Sequence, residues 1–250
     1  MTNTVGVPFL SIVIPAYNEQ NRIVGTLHKI AEYLSQQDYT AEVLVVDDGS
    51  ADATYRRAVE FAEGSPIVRV LRKPHLGKGG AVRTGMLAAR GEFRFLCDAD
   101  LSMPISEVHK FLPPERGSVD VAIGSREATG AHRHDEPGYR HLMGRVFNMV
   151  VRSLVIGGFR DTQCGFKCFR GQVAEDLFQL QRSVGFGFDV EILFLASRLK
   201  YRVEEVPIDW YHVGESKVRP VTDAFQMFRE ATTVRLNDIL GRYDYSRCRK

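Results

Sequence analysis

Residues 41–50 of this 250-residue chain read Ala-Glu-Val-Leu-Val-Val-Asp-Asp-Gly-Ser, and they are the most informative about its fold. A short apolar run bounded by turn-forming residues predicts a buried strand. Comparable runs lie at residues 10–14, 67–71, 93–97 and 119–123. Between the first two runs, apolar residues recur at helical spacing: Ile23, Leu27, Ile30 and Leu34. Strands that alternate with helices predict an α/β fold with a Rossmann-like, mostly parallel central sheet flanked by helices.

The length and the 44% hydrophobic composition allow one large core, and we expect a single domain over residues 1–250. The expected core spans about residues 9–218, and an amphipathic helix follows at about 220–240. Asp52 is expected to cap a helix that runs to about Ala62. The last helix has an apolar face made of Val221, Phe225, Phe228, Thr232, Leu236 and Ile239. That face could pack on its own domain or lie on a membrane.

Charge and cysteine content limit the location and the partners of the chain. Its 33 Lys+Arg against 31 Asp+Glu give a net charge of +2, which argues against a nucleic-acid-coating protein. The four cysteines have no framework spacing and no secretory signal precedes them, so we expect a cytoplasmic protein. No apolar run is long enough to span a bilayer. The run at 146–158 could be a core helix or lie in a membrane interface.

Polar residues follow the first two strands, at the point where each strand ends. The sequence after the first is Pro15-Ala16-Tyr17-Asn18-Glu19, and Asp47-Asp48 follow the second. The carboxyl ends of parallel strands meet at one edge of the sheet, where ligands bind. We expect a nucleoside there, with Pro15, Tyr17 and Glu19 on one side and Asp47 and Asp48 on the other. A carboxylate can accept from a base N–H or a ribose hydroxyl, and Tyr17 can pack on a ring face.

A glycine-rich stretch, Leu-Gly-Lys-Gly-Gly-Ala, opens a predicted helix at residues 76–81. Main-chain N–H groups, the helix dipole and Lys78 would together favour a diphosphate. The spacing is not that of a Walker loop. An ordinary glycine-rich turn is the alternative interpretation.

Two carboxylates, Asp98 and Asp100, follow the fourth strand with one residue between them. Hard oxygen ligands at a strand end suit Mg²⁺ or Mn²⁺ held jointly with substrate phosphates. Such an ion neutralises a departing diphosphate. A solvated turn is the alternative, and the neighbouring strand ends argue against it.

These motifs, together with Gly124-Ser125-Arg126, resemble inverting glycosyltransferase family 2, which has the GT-A fold. Downstream, residues 160–167, 188–191 and 210–218 resemble the dolichyl-phosphate glucosyltransferases and, less closely, the dolichyl-phosphate mannose synthases. The resemblance covers about residues 9–235. It implies metal-dependent transfer of a hexose to a polyprenyl phosphate, with UDP-glucose as the first expectation. GDP-mannose is the second, because Leu101-Ser102 look more like the mannose-synthase sequence.

The resemblance also implies a role for each matching residue. Asp48 would contact the base, Lys78 the diphosphate, and Asp98 with Asp100 the ion and the donor sugar phosphate. Arg126 and Arg140 match a pair that holds the acceptor phosphate. Lys167 is expected to lie beside these two arginines. The three cations are not matched by three acids, which indicates a phosphate as their ligand.

A polyprenyl phosphate needs no strong general base, because its second pKa is about 6 and it is already an anion at neutral pH. Asp161 and Asp189 would then position Lys167, Arg126 or the ion. If the acceptor were a hydroxyl, Asp189 could serve as the base. A nucleotidyltransferase is a further alternative, but it would carry a glycine-rich basic loop where this chain has residues 15–19. A binding module without turnover is another, and the three cations argue against it.

We expect peripheral attachment to the cytoplasmic face of a membrane. The apolar run at 146–158 and the last helix could rest on an anionic leaflet without spanning it. Four arginines accompany these two segments: Arg145, Arg152, Arg229 and Arg235.

Overall fold

The computed structural model describes residues 6–134, 157–212 and 220–248. Its main sheet has seven strands in the order β3-β2-β1-β4-β7-β5-β8. The strands are β1 Leu10–Ala16, β2 Ala41–Asp47, β3 Val68–Arg72, β4 Phe93–Leu96, β5 Val121–Ser125, β7 Lys167–Arg170 and β8 Val203–Pro207. Strand β7 is antiparallel to both of its neighbours, and the other pairs are parallel. A separate parallel pair joins β6 His132–His134 to β9 Asp209–Tyr211.

Helices cover both faces of the sheet. They are α1 Ile23–Ser35, α2 Thr54–Glu63, α3 Lys78–Ala88, α4 Gly171–Leu180, α5 Phe188–Arg198 and α6 Pro220–Ile239, with 3-10 turns at Ile105–Phe111 and Tyr245–Arg247. Successive residues of a strand point to opposite faces. Val13 accordingly packs with the core under α3, α4 and α5, whereas Ile12 and Ile14 pack with the core under α1 and α2. The α/β fold with a mostly parallel sheet is confirmed.

The sequence did not predict β6, β7 or β9. Strand β7 is only four residues long and begins with Lys167, whose side chain is 1% exposed. A buried lysine breaks the apolar pattern by which strands are recognised. Asp52 lies two residues before α2, and its Oδ1 accepts a hydrogen bond from Thr54 N at 2.9 Å.

The described part of the predicted apolar face of the last helix does not pack on its own domain. Val234 and Asn237 are buried there, whereas Leu236 and Ile239 are 52% and 79% exposed. Among the described residues, no helix is both long and apolar enough to cross a membrane. Several predicted residues lie outside the described ranges: Arg140, Arg145, Arg152, residues 146–156 of the apolar run and residues 214–218.

Candidate active site

The ends of β1 and β2 meet at one edge of the sheet, as predicted. Ala16 lies opposite Asp47 in the register. Beyond them, Asn18 N donates to Ser50 Oγ at 3.0 Å, and Ala51 N donates to Asn18 Oδ1 at 2.9 Å. Reciprocal hydrogen bonds of this kind fix two strand ends against each other. The edge therefore has a defined shape.

Asp48 shapes the turn that leads into the glycine-rich stretch. Its Oδ1 accepts from Leu76 N at 3.0 Å and its Oδ2 from Gly77 N at 2.9 Å. His75 Nδ1 lies 2.7 Å from the same Oδ2. Both carboxylate oxygens thus have protein partners, and Oδ1, which accepts from Leu76 N, keeps a second lone pair with which it could accept from a base.

Asp47 differs from its neighbour. It is fully buried, and its Oδ2 lies 3.3 Å from Ser50 N and 3.4 Å from Arg72 Nε. Within the described residues, its Oδ1 has no hydrogen-bond partner. A buried acceptor without a donor costs about 1–3 kcal/mol, so such atoms usually have a partner.

Tyr17 and His75 form a stacked pair, with ring centroids 4.1 Å apart and an interplanar angle of 21°. Both rings are partly exposed beside the Asp48 turn. Sequence reasoning missed His75, although it comes directly before the glycine-rich stretch. Pro15 lies within β1, and Glu19 forms an ion pair with Arg22 at 2.8 Å at the start of α1.

The glycines around Lys78 make room for another part of the main chain. A Cβ on Gly77 would lie 2.6 Å from Val184 O, and one on Gly79 would lie 2.7 Å from Ser183 O. Gly77 also has φ 111°, a conformation that favours glycine. Gly80 N donates to Val184 O at 3.1 Å. Close packing of the loop between α4 and α5 therefore explains these glycines at least as directly as phosphate binding does.

Lys78, the first residue of α3, forms an ion pair with Asp98 at 2.7 Å. Burial would lower the pKa of Lys78, but the carboxylates of Asp98, Asp189 and Asp100 outweigh it and hold that pKa above its usual range. Lys78 is therefore a permanent cation at physiological pH. A side chain at Gly165 would overlap the Asp98 carboxylate, so this glycine is required for the position of Asp98.

Asp98 and Asp100 lie just beyond the end of β4, both partly exposed. Asp100 Oδ1 accepts from Ser102 N at 3.0 Å. Two carboxylates suit a Mg²⁺ or Mn²⁺ ion whose other ligands are water and substrate phosphates. No group of three or more His, Cys, Asp or Glu ligands occurs in the described parts of the chain. The donor set fits an ion shared with a phosphate better than an ion held by protein alone.

Asp161 and Arg126 form a bidentate ion pair. Arg126 Nε lies 2.7 Å from Asp161 Oδ2, and its Nη2 lies 3.0 Å from Oδ1. Burial would raise the pKa of Asp161, but the charge and hydrogen bonds of Arg126 hold it well below its usual range. The guanidinium also lies over the ring of Trp210, 5.6 Å from its centroid. Asp161 and Trp210 together fix the orientation of Arg126.

Lys167 pairs with Asp189, at 2.5 Å, and also donates to Cys164 O. Burial raises the pKa of Asp189, although Lys167 and Lys78 both pull it down. The expectation that Arg126 and Lys167 are cations without acidic partners is wrong. Asp161 and Lys167 are almost fully buried, and charges buried this deeply require a counter-charge.

The side chains that the structure brings together are three ion pairs, Lys78–Asp98, Arg126–Asp161 and Lys167–Asp189, with Asp100 beside them. Three cations and four carboxylates leave this group with one formal negative charge. Arg140 belongs to the predicted set but lies outside the described residues.

Comparison with known proteins is consistent with this geometry. The family model described as Glycosyl transferase family 2 matches residues 11–178. Three similar proteins are each described as dolichyl-phosphate beta-glucosyltransferase. The one from Dictyostelium discoideum is 31% identical over 93% of this chain and 76% of its own length. The Homo sapiens protein is 33% identical over 96% and 79%, and the Saccharomyces cerevisiae protein 34% over 96% and 78%.

Solved structures with the same fold include glucosyl-3-phosphoglycerate synthase from Mycobacterium tuberculosis. Its complex with Mn²⁺, UDP-glucose and phosphoglyceric acid has a TM-score of 0.65 and 21% identity, covering 94% of this chain and 80% of that chain. Its complex with UDP has a TM-score of 0.63. This likeness confirms the predicted GT-A fold.

Proposed function

The chain belongs to glycosyl transferase family 2, and we therefore propose that it transfers glucose from UDP-glucose to a polyprenyl phosphate of the dolichyl type. The observation that carries this proposal is the extent of the similarity. Relatives with that named activity align with 93–96% of the chain, through the donor half and the acceptor half alike. Family membership also decides against the nucleotidyltransferase alternative.

The donor nucleotide is proposed to bind where β1, β2 and α3 meet. The Asp48 turn and the stacked Tyr17–His75 pair would border the nucleoside, and Pro15 and Glu19 would lie at the end of β1 beside it. Asp47 is 0% exposed, so its proposed role is to fix the end of β2 beside the nucleoside, through Ser50 and Arg72, rather than to touch the ligand. Lys78, whose charge the surrounding carboxylates stabilise, would bind the diphosphate.

A divalent cation is proposed at Asp98 and Asp100, and either Mg²⁺ or Mn²⁺ suits these ligands. The charged cluster already carries one formal negative charge, and a nucleotide diphosphate would add at least two more. A bound divalent cation would compensate that charge as the glycosidic bond breaks. Asp100 is the natural first ligand, because Asp98 is shared with Lys78.

The acceptor phosphate is proposed to approach on the side of Arg126. Asp161 holds the plane of this guanidinium, so that the arginine meets the phosphate in a fixed orientation. Lys167 is 1% exposed, and its proposed role is therefore to hold Asp189 rather than to touch substrate. An anionic phosphate oxygen attacks the anomeric carbon directly, which inverts it, so an α-linked donor would give a β-linked product.

One observation favours a second acceptor class. Burial raises the pKa of Asp189, which would make it a better base for a hydroxyl acceptor. Its ion pair with Lys167 opposes this role, because proton uptake would leave a buried lysine unpaired. The phosphate acceptor is therefore the preferred conclusion.

The test is transfer from labelled UDP-glucose or GDP-mannose to a short polyprenyl phosphate. We expect a lipid-soluble glucosyl phosphate with a β linkage, measured by extraction and NMR. Glycerol 3-phosphate and phosphoglycerate provide hydroxyl acceptors for comparison. Transfer to these hydroxyls but never to polyprenyl phosphate would overturn the proposal and make Asp189 the base.

We also propose that the chain works at the cytoplasmic face of a membrane. Its four cysteines are free thiols, in keeping with a reducing compartment. Leu236, Ile239 and Leu240 expose apolar surface at the end of α6, beside Arg235. Ile239→Glu should weaken flotation with anionic vesicles, whereas Val7→Glu, at another exposed apolar residue, should not. Equal flotation of both variants would place the contact elsewhere.

A further inference from the structure

The loop between α4 and α5 lies against the start of α3, where the diphosphate is proposed to bind. We define this loop as the 182–187 segment. Val184 O accepts from Gly80 N at 3.1 Å. Gln181 Nε2, just before the segment, donates to Gly79 O at 2.9 Å and to Ser183 O at 2.7 Å. The first turn of α3 and the 182–187 segment therefore form one hydrogen-bonded unit.

Two carboxyl groups hold this segment at its two ends. Glu191 is fully buried, and its Oε2 accepts from Arg182 N at 3.0 Å and Ser183 N at 2.7 Å. Its Oε1 accepts from Tyr243 Oη at 2.7 Å. At the other end, Glu230 Oε2 accepts from Gly187 N at 2.5 Å. The charged cluster described above does not include either glutamate.

Lys78 depends on the segment for its position. It lies between Gly77 and Gly79, and both glycines are in such close contact with residues 183–185 that neither could carry a Cβ. The Lys78 ammonium reaches Asp98 from this first helical turn. If the segment moves, the turn that carries Lys78 loses its support on that side.

We propose that Glu191 is a positioning residue for donor binding: by holding the 182–187 segment against α3, it fixes Lys78 and the first turn of α3 at the site of the nucleoside diphosphate. The inference rests on the proposed function in one respect, because it takes the diphosphate to bind at the start of α3. It assigns no chemical step to Glu191.

Glu42 provides a matched control. It is also a buried glutamate, 3% exposed, that accepts from a main-chain N–H, that of Arg90, at 2.7 Å. It lies near the start of β2, at the opposite edge of the sheet. Removal of either side chain leaves buried N–H groups without an acceptor, so both variants should lose stability. Of these two glutamates, Glu191 is the one that contacts the 182–187 segment.

The test compares Glu191→Ala, Glu191→Gln and Glu42→Ala by thermal unfolding and by calorimetry with UDP and with GDP. Both alanine variants should have lower Tm. Only Glu191→Ala should bind the preferred nucleotide more weakly, by about tenfold, since a small misplacement can cost this much or more. Glu191→Gln keeps a carbonyl oxygen for Arg182 N and Ser183 N, and should restore affinity. In turnover, the donor KM should rise with the polyprenyl-phosphate KM unchanged.

Nucleotide affinity of Glu191→Ala within twofold of wild type would overturn the inference, and so would an equal loss in Glu42→Ala. If Glu191→Ala does not fold, Glu230→Ala decides, because it releases the other end of the segment and should weaken nucleotide binding about threefold. Unchanged binding in that variant would overturn the inference as well.

The inference and the proposed function fail in different ways. Nucleotide binding does not require an acceptor. If Glu191→Ala loses affinity while the wild type transfers no glucose to polyprenyl phosphate, the positioning role stands and the acceptor is wrong. If the wild type makes the glucosyl lipid and Glu191→Ala binds and uses UDP-glucose normally, only the positioning role is wrong.

Discussion

Buried charged groups lie at both edges of the central sheet, and the two edges differ in how fully the protein itself supplies hydrogen-bond partners for them. At the edge where β1 and β2 begin, Glu42 Oε1 accepts from Ser11 Oγ and Arg90 N, both at 2.7 Å, and its Oε2 lies within 3.3 Å of Arg69 and Arg90. Gly91 N completes the group by donating to Ser11 Oγ. Every oxygen of this network has donors supplied by the protein.

At the opposite edge, the described part of the protein does not supply a partner for every charge and every acceptor atom. Three ion pairs are satisfied there, but Asp100 adds a charge, and within the described residues Asp47 Oδ1 has no donor. Burial of charge therefore does not by itself mark a functional site. A network in which the protein supplies every hydrogen-bond partner stabilises the fold. A network that retains an unpaired charge or an acceptor without a donor can bind a ligand.

The largest expected effect comes from Asp100→Ala. Loss of this partly exposed carboxylate should reduce transfer on the order of a thousandfold, because the cation proposed there contributes several kcal/mol to the transition state. The Tm should stay close to that of the wild type. Excess chelator should have the same effect on the wild type, in the transfer assay with labelled UDP-glucose.

Glu42→Ala is the control for that experiment, since it should lower Tm and leave the transfer rate of the folded enzyme unchanged. Full activity of Asp100→Ala, or of the wild type in chelator, would remove the distinction between the two edges.

Asp161→Ala should give the largest change in stability. It leaves Arg126 without its counter-charge, and breaking a buried pair costs about 3–5 kcal/mol. Urea unfolding measures this cost. The double variant Asp161→Ala/Arg126→Met should recover most of it, because no uncompensated charge remains. A double variant as unstable as the single one would show that the cost arises from packing.

Lys78→Ala should weaken UDP binding by about 1.5–3 kcal/mol, the worth of a hydrogen bond to a charged group. Asp48→Ala should weaken it too, because the turn at residues 75–77 loses its acceptor. Calorimetry measures both. Lys110→Ala, which removes an ion pair with Glu107 instead, should bind UDP normally. Unchanged affinity in the first two variants would place the nucleotide elsewhere.

The smallest expected effect is the pH dependence of the stability that Glu42 contributes, at the edge where β1 and β2 begin. Burial would raise the pKa of Glu42, but hydrogen bonds from Arg90 and Ser11 and the charge of Arg90 lower it below its ordinary value of 4.5. Because the folded state binds this proton less tightly than the unfolded state, Glu42 contributes stability above that pH. The advantage of the wild type over Glu42→Gln should shrink as pH falls below it. Urea unfolding between pH 7 and pH 3 measures the difference, and a constant difference would contradict the prediction.

The sequence predicted most of the sheet and the polar strand ends because both are local patterns. Apolar runs identify β1, β2 and β4, and acidic residues follow each of these runs within a few positions of the chain. The pairing of the charges is not local. Arg126 and Asp161 are 35 residues apart, and Gln181 reaches Gly79 across 102 residues. Spacing alone could not show that Arg126 and Lys167 are neutralised, nor that a distant loop accounts for the glycines around Lys78.

During synthesis, the strand order makes the two halves of the sheet available at different times. In the part of the chain that the structure describes, strands β1–β4 pair only with one another and with β7. The donor side of the sheet therefore has four of its strands once residue 96 has emerged. Strand β5 cannot form both of its strand pairs until β7 and β8 have been synthesised, and β8 ends at Pro207. The half of the enzyme that carries Arg126 is therefore the last to be assembled, and a chain interrupted before β8 would leave β5 with an unpaired edge open to aggregation.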